Sequence, residues 1–331
     1  EAVTPLTLAD RARCFQLPNQ DIVVVWRGEA AAALESRLAA LRHLFAGEPE
    51  LLPDPEALIA LHELPRDGAA LRLTAEETLR SRPPVIAPPS PGRALDGATL
   101  AVLEGALAQT DMSRFARRRP VCSLEPDGSF ALRWERRSLS VDELAETLLP
   151  EHALRADPWL FRRLTRTLDR RLLALLTDPA ELRFAGPFGL KLNVGSVLSP
   201  EFLRFDTALP AALRGQVVIG FDPADILADP AAFLFARDFA GARRYRLLLA
   251  GVTAELLEVM PRGQTGLHLV ELRWSEALSR IDPAMVAADA RHVVLGHADS
   301  AEALDWGRAA GITLYQGKVA GVAAWPGRAV G

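Results

Sequence analysis

Leu190-Lys191-Leu192-Asn193-Val194 opens a stretch, ending at Thr313-Leu314-Tyr315-Gln316-Gly317, in which short apolar runs alternate with helical patterns. Gln216 to Phe221, Tyr245 to Gly251, His268 to Trp274 and His292 to His297 are four more strand-like runs inside it. Helical patterns such as Pro230 to Phe239 and Ser300 to Ala310 follow them. Strands alternating with helices of about ten to fifteen residues pair in parallel through crossovers. Local signals agree: Ser199 reads as an N-cap with Pro200 at the first helical position, where a missing N–H costs nothing. Upstream, Pro120 to Leu124 and Ser129 to Arg136 are joined by the tight turn Glu125-Pro126-Asp127-Gly128, which makes that pair antiparallel. Eight strands over roughly 200 to 250 residues predict an α/β fold, a (β/α)8 TIM-like barrel with an antiparallel first strand.

The barrel does not fill the 331 residues. Arg82 to Gly92 holds five prolines, which remove backbone donors and fix φ, so residues 83–95 read as an extended linker. The barrel is then assigned to residues 96–331 and a small α+β module to residues 1–82. In that module Asp21 to Trp26 reads as a strand, Glu29 to Phe45 as an amphipathic helix, Ala57 to Leu64 as a second strand and Thr74 to Arg80 as a second helix.

Composition narrows the function classes. A hydrophobic fraction of 49% with 24% charged residues is ordinary for a globular chain, and a net charge of −4 gives no pull toward nucleic acid. No uncharged apolar run reaches membrane-spanning length and the start at Glu1 shows no signal-peptide pattern, so no membrane association is expected. Cys14 and Cys122 lie far apart without metal-ligand spacing, as expected of reduced thiols in a cytoplasmic protein. Only Lys191 and Lys318 are lysines, so the arginine runs at Arg117 to Arg119 and Arg170-Arg171 read as solvated faces rather than phosphate sites. The six histidines show no HExxH spacing, and no phosphate loop or nucleophile elbow is present. His297, at a strand end, reads first as structural.

On its motifs the chain from about Asp96 to Gly321 resembles an EAL domain, the barrel that hydrolyses cyclic di-GMP. The resemblance is carried by Arg119-Pro120-Val121, Trp134-Glu135-Arg136, Leu192-Asn193-Val194, Asp305-Trp306-Gly307 with Ala310-Gly311, and Tyr315-Gln316-Gly317, in that order. It implies a two-metal phosphodiesterase site on Glu, Asn, Glu and Asp side chains at successive strand ends, since such hydrolysis needs several hard oxygen ligands. Carried over residue by residue, it leaves Glu135, Asn193 and Gln316 as surviving ligands. It puts Gly220 where a Glu is expected, Ala250 and Gly251 in place of two Asp, Glu271 or its neighbour Val270 at a Lys position, Gly296 at another Glu, and Asp299 as a shortened acid. Asp222 reads as part of a turn and helix start with Pro223, Ala224 and Asp225.

So depleted a site implies no metal, no cofactor and no catalysis, because residues that act as a unit fail together. The expected function is a degenerate EAL-like regulator working through a protein partner or as a homodimer. The alternative is a cyclic di-GMP receptor without hydrolysis. The family's arginine clamp falls on Leu139, leaving Arg136 and Arg137 as the nearest candidates for phosphate. An active phosphodiesterase ranks last. The 1–82 module resembles the back half of a GGDEF domain, on Pro18-Asn19-Gln20-Asp21-Ile22 and on Leu64-Pro65-Arg66-Asp67-Gly68 before a helix. Without the glycine pair and a second acid it implies no cyclase activity.

Overall fold

The computed structural model describes residues 12–16, 22–26, 38–39, 43, 59–80, 92–183, 185–257 and 266–320. They fall into two compact units, one before residue 91 and one made of nearly all that follows.

In the first unit, β1 (Ala12–Gln16) and β2 (Ile22–Trp26) pair antiparallel, Cys14 opposite Val24, and helix α1 spans Gly68–Arg80. The expected βαβα order is therefore corrected on two points. A strand precedes Asp21, and residues 59–64 are not a strand; the turn at 64–67 instead leads into a helix beginning six residues before Thr74. Asp67 shapes that turn by accepting the Glu63 amide at 2.8 Å. Most of the expected helix at 29–45 and the stretch 18–21 lie outside the described residues, as do residues 83–91 of the expected linker. Its last residues are extended but not a free linker: β3 (Arg93–Ala94) pairs in parallel with β6 (His152–Ala153), and Leu95 is buried.

The second unit is a closed eight-stranded barrel. Its strands are β4 (Ala116–Leu124), β5 (Phe130–Leu139), β7 (Phe188–Lys191), β8 (Val218–Phe221), β9 (Arg246–Val252), β10 (Leu269–Arg273), β11 (Val293–Gly296) and β12 (Leu314–Gln316). They close in the order β4-β5-β7-β8-β9-β10-β11-β12. All eight expected strands are present. β4 runs antiparallel to both neighbours, β5 and β12, and the other pairs are parallel.

Helices include α2 (Gly97–Gln109), α3 (Val141–Leu148), α4 (Pro158–Leu176), α5 (Pro200–Ala208), α6 (Pro223–Ala228), α7 (Pro230–Ala242) and α8 (Ala301–Ala309). Their starts follow the cap signals. Asp157 accepts from the amides of Trp159 and Leu160 with Pro158 in the first turn of α4, and Ser199 accepts from Phe202 with Pro200 in the first turn of α5.

Strand alternation sorts the side chains. Val121, Trp134, Val218, Leu248, Ala250, Leu269 and Val294 fill the barrel interior, joined by Leu314. Outside, α4 buries Leu164, Leu168, Leu172 and Leu176, and Phe202 stacks edge-on against Tyr245 with ring centroids 5.6 Å apart. Tyr245 also donates its hydroxyl to Asp206 at 2.7 Å, at the N-terminal end of β9, where this fold places stability rather than chemistry.

Candidate functional site

Trp134 points into the barrel, so the period of two decides where its neighbours go: Arg136 shares its face and Glu135 and Arg137 take the other. Glu135 is therefore not an inward ligand. Its carboxylate lies 3.9 Å from both Arg118 and Arg137 on the outer wall. Arg137 is likewise removed from the mouth; buried on the outside, its guanidinium stacks over the Phe188 ring at 4.6 Å and lies 3.7 Å from Glu181. Of the two arginines expected to meet a ligand, only Arg136 is placed to do so.

Arg136 crosses the interior at the C-terminal end of the strands. Its Nη1 donates to Glu271 Oε1 at 2.6 Å and to Gln316 Oε1 at 3.0 Å. The Glu271 side chain is only 5% exposed, and its second oxygen, Oε2, is buried with no hydrogen-bond partner within the protein. Gly296 lies beside this pair on β11. A Cβ there would stand 2.8 Å from Glu271 Oε1, so the missing side chain is what gives Glu271 its room. Gly220 and Ala250 pack against one another farther round the wall, a Cβ on Gly220 lying 3.3 Å from that of Ala250. Gly251 adopts φ +74, and Asp299 is exposed, turned away to accept the Lys318 amide at 2.7 Å. Around the barrel axis the described donors do not fit a pair of divalent cations: Arg136 occupies the centre and holds the Glu271 carboxylate. Among the described residues no group of three or more His, Cys, Asp or Glu side chains is placed to hold a metal ion.

Above this floor lies a cleft of about 490 Å³, within the range of small-molecule sites. Arg136 and Gln316 line both the cleft and a cavity of about 20 Å³ beneath it, whereas Glu271 lines only the lower cavity. Arg119, Arg155, Arg162 and Lys191 add positive charge to the cleft. Most of that charge is matched. Lys191 Nζ sits 2.8 Å from Asp222, Arg162 Nε 3.3 Å from Asp225, and Arg155 Nη1 2.7 Å from Asp142. Asp222 also caps the turn into α6 by accepting from Ala224, the role expected of it. His297 lines the rim with a left-handed backbone, φ 58, and its imidazole is held below the ordinary value by partial burial first and by the Arg273 guanidinium next.

Asn193 is present at the end of β7, but its amide is engaged. Its Nδ2 donates to Asp169 Oδ2 at 2.7 Å and its backbone N–H to the same oxygen at 2.8 Å, with Ser196 Oγ donating at 2.7 Å. Asp169 belongs to the inward face of α4, and an acid inside the stripe of Leu164, Leu168, Leu172 and Leu176 is the sequence signal that could have marked it. Burial raises its pKa to about 6, against the pull of those hydrogen bonds and with a further push from Asp225. The folded protein thus takes up a proton at higher pH than the unfolded chain. The resulting stabilisation is fully present below about 3.8 and is lost as pH rises through about 6. Urea unfolding at pH 7 and pH 5 should therefore show the unaltered protein gaining stability relative to Asp169→Asn at the lower pH. An identical pH response of the two would contradict it.

No protein-family model and no curated protein sequence matches the chain. Solved structures do. The EAL domain of Xanthomonas citri FimX in complex with cyclic di-GMP is 11% identical, the match covering 71% of this chain and 98% of that one with a TM-score of 0.48. The S helix-GGDEF-EAL portion of Vibrio cholerae LapD bound to cyclic di-GMP is 12% identical over 68% of this chain and 57% of that one, TM-score 0.48. Klebsiella pneumoniae BlrP1, in a manganese and cyclic di-GMP complex, is 15% identical over 64% and 56%, TM-score 0.45. The chain thus spans little more than half the length of the latter two. Identities this low concern the fold alone. Among the described residues no helix is long and apolar enough to cross a membrane.

Proposed function

We propose that the barrel is a catalytically silent relative of the EAL domains, a cytoplasmic regulatory module in cyclic di-GMP-type signalling that works through a protein partner. The observation that carries this reading is the Arg136–Glu271 pair, N to O 2.6 Å, held in the barrel beside Gly220, Ala250 and Gly296, the positions at which the resemblance implies carboxylates. Two cations cannot be gathered at the barrel axis by Glu271, an acid already neutralised by a guanidinium. The 1–82 module, read as GGDEF-like, is proposed as a second regulatory part without cyclase activity.

A second reading, a cyclic di-GMP receptor that does not hydrolyse its ligand, is favoured by the size and basic lining of the cleft. It ranks below the first because Arg136, Lys191, Arg162 and Arg155 already face carboxylates, so a dianion must displace or share those partners. Cyclic di-GMP incubated with the full chain and Mg²⁺ or Mn²⁺ should yield no linear product. Gly220→Glu alone should not create activity either, since the other acids are still missing. Metal-dependent turnover that disappears in Glu271→Ala would overturn the silent reading. Micromolar binding without turnover would move the conclusion to the receptor.

A further inference from the structure

We propose that Glu271 is a built-in competitor for anions: by holding Arg136 from below it sets the barrel mouth against phosphate ligands, and displacing it converts the mouth into a phosphate site. The geometry is specific. Arg136 forms part of the cleft floor and is 21% exposed, whereas Glu271 is 5% exposed and approaches the guanidinium from the lower cavity. A ligand phosphate in the cleft would reach the same guanidinium from the opposite side. Arginine binds phosphate through its planar fork, and a carboxylate on Nη1 takes up one tine of it and cancels its charge. Gln316 Oε1, also on Nη1 at 3.0 Å, adds a neutral acceptor that holds the fork in the same pose.

The sequence supplies the space for this arrangement. Glu271 reaches Arg136 only because position 296 has no side chain; a Cβ there would meet Oε1 at 2.8 Å and Cγ at 3.2 Å. Glu271 and Gly296 act as one device, acid and vacant shoulder. The inference deepens the regulatory reading of the mouth and rests on it for the choice of site. It concerns binding alone, so turnover of cyclic di-GMP would overturn that reading while leaving the comparison below decisive on its own terms.

Pyrophosphate, which offers phosphate charge without a base, is titrated calorimetrically without metal into the full chain. Two variants loosen Glu271 in different ways: Glu271→Gln removes the charge and keeps the shape, and Gly296→Ala keeps every charge and crowds Oε1. Both should bind pyrophosphate tighter than the unaltered chain, Glu271→Gln by about tenfold or more, the scale of one charge-assisted hydrogen bond. The double variant Arg136→Met/Glu271→Met, which removes the fork as well, should return to the unaltered affinity or below it. If neither Glu271→Gln nor Gly296→Ala tightens binding, or if the double variant binds as tightly as Glu271→Gln, Arg136 is not the contested group and the inference fails.

Discussion

Arg136→Met should lower the unfolding free energy of the barrel by about 3 kcal/mol or more, the usual consequence of leaving a buried charge without its partner. Glu271 is 5% exposed, one of its oxygens already has no hydrogen-bond partner within the protein, and Gln316 offers no positive charge in place of the guanidinium. The companion variant Arg136→Met/Glu271→Met should recover most of that loss, because two apolar side chains remove both desolvation costs at once in a wall already made of Val121, Trp134, Leu248 and Val294. A double-mutant cycle by urea unfolding at neutral pH reads the coupling directly. If Arg136→Met and the double variant are equally stable, Glu271 is not left stranded by the loss of Arg136 and is held by its surroundings instead. The stability cycle and the pyrophosphate titration probe the same contact with different observables, so a purely structural pair would move the first and leave the second still.

Gly317→Ala should be at least as damaging, costing more than about 4 kcal/mol or preventing folding, the range reserved for backbone strain combined with overpacking. Position 317 has φ +154, which L side chains rarely adopt, and an added Cβ would lie 2.4 to 2.6 Å from the backbone O, N and C of Ala298. Backbone cannot retreat as a side-chain tip can. Ala298 is also fixed there, donating its N–H to Gln316 O at 3.0 Å and accepting from Val319 at 3.2 Å, the bonds that tie the chain after β11 to the end of β12. Gly215→Ala is the matched control: its φ is −69 and nothing stands within 4 Å of an added Cβ, so it should be neutral or gain about 0.5 kcal/mol. Thermal unfolding of the two variants against the unaltered protein separates them. A Gly317→Ala protein that melts with the control would show that the β11–β12 ends move apart more easily than the geometry allows.

The two glycines show how differently a sequence speaks of its fold. Apolar runs, caps and turn residues are local properties, and each acts on its own neighbours within a few residues. For that reason the strands from Val121 to Gln316, the cap at Ser199 and the antiparallel turn at Glu125 to Gly128 were legible. The hairpin of β1 and β2 and the start of α1 at Gly68 were not, because Arg13 and Cys14 carry no clear alternation and Gly68 is a weak helix former.

Which side of a strand faces inward depends on register, and register is set by partners far along the chain. Glu135 and Arg136 are adjacent in sequence, and only the placement of Trp134 in the interior put the acid on the outer wall and the arginine in the mouth. That positions 220, 250 and 296 carry Gly, Ala and Gly, and so no carboxylate, could be read position by position. That Glu271 fills the space left by Gly296 and takes Arg136 could not, since the contact joins residues 135 apart. Sequence by itself determined the barrel and the lack of acids at those three strand positions, through local periodicity and residue identity. Tertiary structure alone decided which charges meet there, because strand closure brings together side chains that no local rule relates.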